Sequence, residues 1–174
     1  MRRRTWVLGS AGAAAAAAGI GWQLRQGQPL PERDEAQTGG IWQLSFAQPD
    51  GGTLVMASLR GQPLVLNFWG TWCPPCIKEM PELDRFARQY ASQGWRVVGL
   101  AVDNPSAVRE FLARAPVSYT IGLAGFEGSE LTRKLGNDQA GLPFTAIFNR
   151  AGAQVHRHAG SATLQQLESW LKLI

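Results

Sequence analysis

The chain has 174 residues, 45% apolar and 17% charged, so it can fill a hydrophobic core, and its length suits one domain behind a leader. Its net charge of +4 is partly a leader effect, because residues 41–174 carry 12 basic and 10 acidic side chains, a net +2. That span has no basic stripe of the kind nucleic acid requires, which excludes nucleic acid as a partner.

The chain opens Met1-Arg2-Arg3-Arg4, and 17 uncharged residues follow at 6–22. A positive head before an apolar stretch has the composition of an export signal, so residues 1–24 are expected to send the chain to the periplasm. Arg3-Arg4-Thr5-Trp6-Val7-Leu8 also resembles a twin-arginine signal, with Trp where Phe is usual. Ala11, Ala13 and Ala16 offer small-residue cleavage sites, yet the stretch is nearly long enough to span a bilayer. Cleavage and retention as an inner-membrane tether are therefore both open. Residues 25–40 are polar, contain Pro and Gly and show no periodicity, and they read as a linker. The folded domain is expected at 41–174.

Trp42-Gln43-Leu44-Ser45-Phe46 alternates as a half-buried strand does, Pro49-Asp50-Gly51-Gly52 is a turn, and Thr53-Leu54-Val55-Met56 returns as the second strand of a hairpin. Ser58-Leu59-Arg60-Gly61 is a turn before a buried strand at 63–69. That strand feeds Gly70-Thr71-Trp72-Cys73-Pro74-Pro75-Cys76. Apolar residues then recur at helical spacing (Ile77, Met80, Leu83, Phe86, Ala87, Tyr90) to about residue 92, with a kink expected at Pro81. The two cysteines thus sit where a buried strand ends and a helix begins.

Cysteines three apart at a helix start lie about 5.5 Å apart at Cα, within disulfide range. At the N-cap, Cys73 meets unpaired N–H groups and the positive end of the helix dipole, which favour a thiolate. Pro74 and Pro75 lack two of those donors, but the Cys76 N–H can point back at the Cys73 sulfur. Thiolate is the attacking species, so Cys73 reads as the nucleophile that forms a mixed disulfide and Cys76 as the thiol that resolves it. Trp69 and Trp72 would shield the pair and, with Pro74 and Pro75, offer an apolar docking surface.

Other readings compete. A purely structural disulfide would close too short a loop to restrain the unfolded chain much. A zinc site lacks ligands, since the only other candidates are His156 and His158. A Cu(I) carrier using both thiolates stays open, because soft thiolates suit that ion. A peroxidase of the Thr-x-x-Cys type fails on spacing, since Thr71 is two residues before Cys73. No metal site is expected, and no cofactor beyond the Cys73–Cys76 pair.

The run Val65-Leu66-Asn67-Phe68-Trp69-Gly70-Thr71-Trp72-Cys73-Pro74-Pro75-Cys76-Ile77-Lys78-Glu79-Met80-Pro81 resembles the TlpA/ResA/DsbE (CcmG) branch of the thioredoxin superfamily, and the likeness covers about 41–174. These are exported, often membrane-tethered thiol–disulfide oxidoreductases. The resemblance implies a protein disulfide reductase, recharged by a membrane electron donor of DsbD/CcdA type. By analogy its substrates would be disulfide-containing proteins such as apocytochrome c or copper-centre assembly proteins. A disulfide oxidase or isomerase is the alternative direction. An acidic residue at the place of Glu79 handles protons in this branch, so Glu79 is expected to take the Cys76 proton during resolution; a solvated helix-face glutamate is the plainer alternative. Asn67 stands where plain thioredoxins have a buried Asp.

Downstream, Trp95-Arg96-Val97-Val98-Gly99-Leu100-Ala101-Val102 is a buried strand ending at Asp103-Asn104-Pro105. A helix is expected at 106–114, a strand at 119–123, and a helix at 127–135 closed by Gly136-Asn137. This central strand–helix insertion also looks like the TlpA branch. In Gly141-Leu142-Pro143-Phe144-Thr145 the resemblance implies a cis proline at Pro143 facing the cysteine pair, with the Leu142 backbone left free to bind an extended substrate. Strands are expected at 144–148 and 153–158. His156 and His158 share one face of the second, taken as the solvent face of an edge strand. The helix at 163–173 turns Leu164, Leu167, Trp170 and Leu171 inward, with Ser161 or Thr163 as its cap. The element order predicts an α/β thioredoxin-like fold: a mixed central sheet flanked by helices, behind an N-terminal β-hairpin.

Overall fold

The computed structural model describes Thr38 and residues 40–174. The leader expected at 1–24 and nearly all of the linker expected at 25–40 lie outside the described residues.

The first element corrects an expectation. Ile41–Gln43 form a single 3-10 turn, not the start of a strand. Ile41 and Trp42 are both buried, the turn sending two successive residues inward. The Trp42 indole N–H donates to the Gly152 carbonyl at 2.8 Å, and its ring meets Phe148 edge-on. The hairpin itself is β1 (Ser45–Ala47) paired antiparallel with β2 (Thr53–Val55), and a second 3-10 turn covers Met56–Leu59.

The rest follows the expected order: β3 (Leu64–Trp69), α1 (Pro74–Tyr90), β4 (Arg96–Ala101), α2 (Pro105–Arg114), β5 (Thr120–Leu123), α3 (Gly128–Lys134), β6 (Phe144–Phe148), β7 (Gln154–Ala159) and α4 (Leu164–Trp170). The seven strands form one sheet in the order β2-β1-β5-β4-β3-β6-β7. β3 lies inside it, parallel to β4 and antiparallel to β6. A strand buried on both faces should read as a continuous apolar run, and every residue of β3 is buried although one of them is Asn67.

Alternation along β3 divides the core. Val65 and Trp69 join a cluster with Cys73, Cys76, Met80, Leu83 and Phe86 of the α1 region and Leu167 and Trp170 of α4. Leu64, Leu66 and Phe68 join the cluster on the other face, with Leu131 of α3, Leu135, Ile41 and Met56. Asn67 therefore points with Val65 and Trp69 toward α1.

Helix starts are chemically specified. Pro74 and Pro75 begin α1, where their missing N–H groups cost nothing, and α1 continues through Pro81 to Tyr90. Asn104 caps α2 by accepting the Ser106 N–H at 2.9 Å. Thr163 and Gln166 form a reciprocal capping box on α4. At the far edge, β7 qualifies a second expectation: His156 and His158 are half-buried, not fully open to solvent. Trp170 of α4 stacks on both, with ring centroids 4.9 and 5.3 Å away.

Candidate active site

The cysteines occupy the joint between β3 and α1. Cys73 and Cys76 are joined as a disulfide with Cα atoms 5.3 Å apart. Cys73 is the N-cap of α1, and its sulfur accepts the Cys76 N–H at 3.3 Å. Both are buried, Cys76 completely at 0% exposure and Cys73 at 3%, so only Cys73 presents any surface to a partner. The flanking Pro74 and Pro75 are exposed, and Trp72 is 59% exposed.

Trp69 is not part of that surface. It is fully buried beneath the pair and stacks on Phe111 of α2, because it is the last inward residue of β3. Only Trp72 of the two tryptophans faces out, held by its indole N–H donating to the Val102 carbonyl at 3.2 Å. The indole crosses so close to residue 70 that a Cβ there would lie 2.7 Å from Trp72 Nε1, which accounts for Gly70. The same loop is anchored by the buried Asp103, which accepts the Thr71 N–H at 2.7 Å and the Thr71 hydroxyl at 2.6 Å.

Glu79, one turn past Cys76, is on the buried face of α1 with only 2% of it exposed, so the solvated alternative does not hold. Its Oε1 accepts from Asn67 Nδ2 at 2.8 Å and its Oε2 from the Ala162 N–H at 2.8 Å. Burial pushes its pKa up from 4.5 to about 7, against the opposing effect of those two hydrogen bonds. A carboxyl that titrates near neutrality can both take and release a proton at working pH. Asn67 Nδ2 also donates to Thr145 Oγ1 at 3.1 Å, across the β3–β6 pairing that sets these two residues opposite each other. The buried Tyr119 phenol is pushed up by its own burial and then by the charges of Glu79 and Asp84. Residues 160–163 close the site, since Ser161 Oγ donates to the Pro75 carbonyl at 3.1 Å and the Leu164 N–H donates to Glu82 at 3.1 Å.

The Leu142–Pro143 peptide is cis. Pro143 is buried at the head of β6, its carbonyl accepting the Gly160 N–H at 2.9 Å, and Asn137 Nδ2 pins the Gly141 carbonyl at 2.8 Å. Leu142 packs against the cluster that holds Cys73 and Cys76. Among the described residues neither its N–H nor its C=O has a hydrogen-bond partner.

Cys73, Cys76, Glu79 and Leu142 thus converge, with Trp72, Pro74 and Pro75 at the rim. Sequence reasoning missed the polar groups that hold them: the buried Asp103, Thr145 and Ala162 backbone, and the exposed Ser161. Thr145 and Asn67 did carry a signal, as lone polar residues inside fully apolar strands, where a buried polar group needs a partner. Asp103 carried a weaker one, as the first polar residue after a buried strand. The Ala162 N–H carried none, because a backbone donor is the same in every residue.

A family model described as Redoxin matches residues 25–171. The thiol-disulfide oxidoreductase ResA of Halalkalibacterium halodurans is 32% identical over 126 residues, 72% of this chain and 69% of that protein. The crystal structure of a thioredoxin-family thiol:disulfide interchange protein from Chlorobium tepidum superposes with a TM-score of 0.67 at 25% identity, covering 75% of this chain and 91% of that one. The structure of Mycobacterium tuberculosis dsbF, in mixed oxidised and reduced forms, matches with a TM-score of 0.66 at 27% identity, covering 84% of this chain and 100% of that one.

Proposed function

The chain belongs to the Redoxin family as a ResA/DsbE-like thiol–disulfide oxidoreductase of the thioredoxin superfamily, and from that premise we propose that it is an exported reductase of protein disulfides. The observation that carries this reading is the Cys73 sulfur at the N-cap of α1, accepting the Cys76 N–H. A thiolate at that atom is stabilised by the hydrogen bond and by the helix dipole.

In the reduced protein the Cys73 thiolate attacks one sulfur of a substrate disulfide. A mixed disulfide forms, and the other substrate sulfur leaves as a thiolate and is protonated. Cys76 then gives its proton to Glu79 and attacks the Cys73 sulfur. The Cys73–Cys76 disulfide forms, the second substrate sulfur leaves, and two electrons have passed to the substrate. Trp72, Pro74 and Pro75 form the apolar rim for the substrate chain, while Leu142, followed by Pro143, offers it a free N–H and C=O. Restoring the dithiol requires an external dithiol donor, for which a membrane protein of DsbD/CcdA type fits an exported enzyme.

The positive, apolar leader at 1–24 and the polar linker at 25–40 support export with the domain held at, or released from, the inner membrane. Apocytochrome c and copper-centre assembly proteins are the substrates that family analogy favours. The reading is tested by equilibrating the domain in thiol redox buffers. A Cys73–Cys76 potential at or below about −270 mV is expected, and one at about −120 to −180 mV would reverse the direction to oxidase or isomerase.

A further inference from the structure

Asn67 is a neutral polar residue with 0% exposure, set in β3 between the inward-facing Val65 and Trp69. Its two amide atoms are treated unequally. Nδ2 makes two hydrogen bonds, to Glu79 Oε1 at 2.8 Å and to Thr145 Oγ1 at 3.1 Å. Oδ1 is buried and has no hydrogen-bond partner among the described residues. An unpaired buried carbonyl oxygen costs about 1–3 kcal/mol and calls for an explanation.

The explanation lies in what Glu79 and Thr145 can each do. The pattern seen here, a donor on each Glu79 oxygen, suits a carboxylate. Once Oε1 carries a proton it must donate, and Asn67 Nδ2 cannot accept. A half-turn of the Asn67 amide about its terminal torsion puts Oδ1 in the place of Nδ2. There it accepts from the Glu79 acid and also from the Thr145 hydroxyl, which can donate as well as accept. Either orientation makes two hydrogen bonds and leaves one amide atom unpaired. The amide alone has little preference, and the proton on Glu79 decides.

We propose that Asn67 is a positioning residue for proton exchange, its side-chain amide turning over as Glu79 gains or loses a proton and Thr145 exchanging acceptor for donor with it. The functional consequence rests on Glu79 receiving the Cys76 proton. The new O–H at Oε1 then meets an acceptor instead of the opposed Asn67 N–H. The proton stays on Glu79 throughout, and no other group changes charge. The surrounding titratable groups are few: the Cys73–Cys76 pair on the same turn of α1, Glu82 one turn on, which is held by the Leu164 N–H and Arg85, Tyr119 just before β5, and Asp84 farther along α1, which is held by Arg88 and Ser118. His156 and His158 of β7 are turned to Trp170. β3, β6 and residues 160–163 bring no charged side chain.

The test is NMR of the resting oxidised protein between pH 5 and 9. The nuclear Overhauser effects from the Asn67 side-chain amide protons to Thr145 are expected to be strong at pH 9 and to weaken several-fold by pH 5. Their midpoint should coincide with that of the Glu79 carboxyl carbon. Glu79→Gln should hold the pH 5 pattern at every pH, because with the Ala162 N–H on its oxygen the glutamine presents an N–H to Asn67. Asn67→Ala should leave the Glu79 midpoint nearly in place, since the carboxylate loses a donor and the acid loses an acceptor. Overhauser effects that do not change with pH, a Glu79→Gln variant showing the pH 9 pattern, or a large upward shift of the Glu79 midpoint in Asn67→Ala, as a permanently donating amide would give, would each overturn the proposal. If Asn67→Ala fails to fold, the wild-type titration still decides. None of these measurements involves turnover. A Glu79→Gln variant that exchanged disulfides at the wild-type rate would remove the catalytic reading of Glu79 and leave the amide rotation to its own test.

Discussion

The carboxylate of Asp103 holds Thr71 by both of its donors, the backbone N–H at 2.7 Å and the hydroxyl at 2.6 Å, both on Oδ2. Asp103 follows β4 and Thr71 follows β3, so the parallel pairing of these strands places anchor and loop side by side. Asp103→Ala should strand the Thr71 donors in a part-buried site. A loss of about 2 kcal/mol is expected in urea denaturation, together with slower reduction of a protein disulfide. Unchanged stability would show that the loop keeps its form without this clamp.

Replacing Glu79 by Gln tests the proton step. The wild-type rate of disulfide reduction should show an inflection near pH 7, the value to which burial raises the carboxyl. In Glu79→Gln that inflection should vanish, and the rate at pH 7 should fall about a hundredfold, the lower end for a lost general base. The deficit should shrink toward pH 9 as Cys76 ionises unaided. Stopped-flow reduction of a model disulfide reads both effects.

The same carboxyl makes stability depend on pH. Its folded pKa lies above the unfolded 4.5, so its contribution is full below pH 4.5 and is lost as pH rises to about 7. The difference is on the order of 3 kcal/mol for a group this buried. His156 acts with the opposite sign, because burial and then the charge of His158 lower its pKa, which adds stability as pH rises toward its unfolded value. Urea melts of wild type and Glu79→Gln at pH 5 and 8 separate the two. The difference between the proteins isolates Glu79 and should favour the variant at pH 8.

Trp72→Ala should separate docking from folding. The side chain is largely exposed, so stability should change by only about 0.5 kcal/mol. Reduction of a folded protein substrate should weaken severalfold through KM, while a small disulfide is reduced almost normally. Equal losses on both substrates would mean that Trp72 shapes the thiols instead of receiving the chain.

Trp170→Ala removes the ring that covers His156 and His158. A cost of about 3 kcal/mol is expected for a buried Trp, and the His156 pKa should rise toward its ordinary value as water reaches the imidazole. NMR titration of the histidine ring protons checks it.

Most of the architecture was legible because it rests on periodicity and punctuation. The apolar run of β3, the helical spacing after Cys76, the prolines at the helix starts and the turn residues each act locally, and the observed elements keep the expected order. Errors arose where tertiary packing overrode a local pattern. Trp42–Phe46 alternates like a strand, yet its first residues form a turn with Trp42 drawn inward to Phe148 and the Gly152 carbonyl, and the strand begins at Ser45. His156 and His158 lie on one side of an edge strand, as their spacing requires, but that side is roofed by a helix whose position a period of two cannot convey. At the site, the cysteines announced themselves through spacing. The environment of Glu79 did not, because Thr145 and Ala162 reach it only through strand register and loop closure.

The Glu79–Ala162 contact joins residues 83 positions apart, and chains are made from the N-terminus onward. During synthesis, the thiol pair and α1 emerge well before the segment that supplies the Ala162 N–H. Until then Glu79 is an ordinary hydrated carboxylate and the cysteines are an ordinary dithiol, open to any oxidant they meet. The buried, hydrogen-bonded state of Glu79 is therefore a property of the finished chain: a ribosome stalled or a protease cut ahead of residue 162 yields a product that carries both cysteines and lacks the enclosure around Glu79.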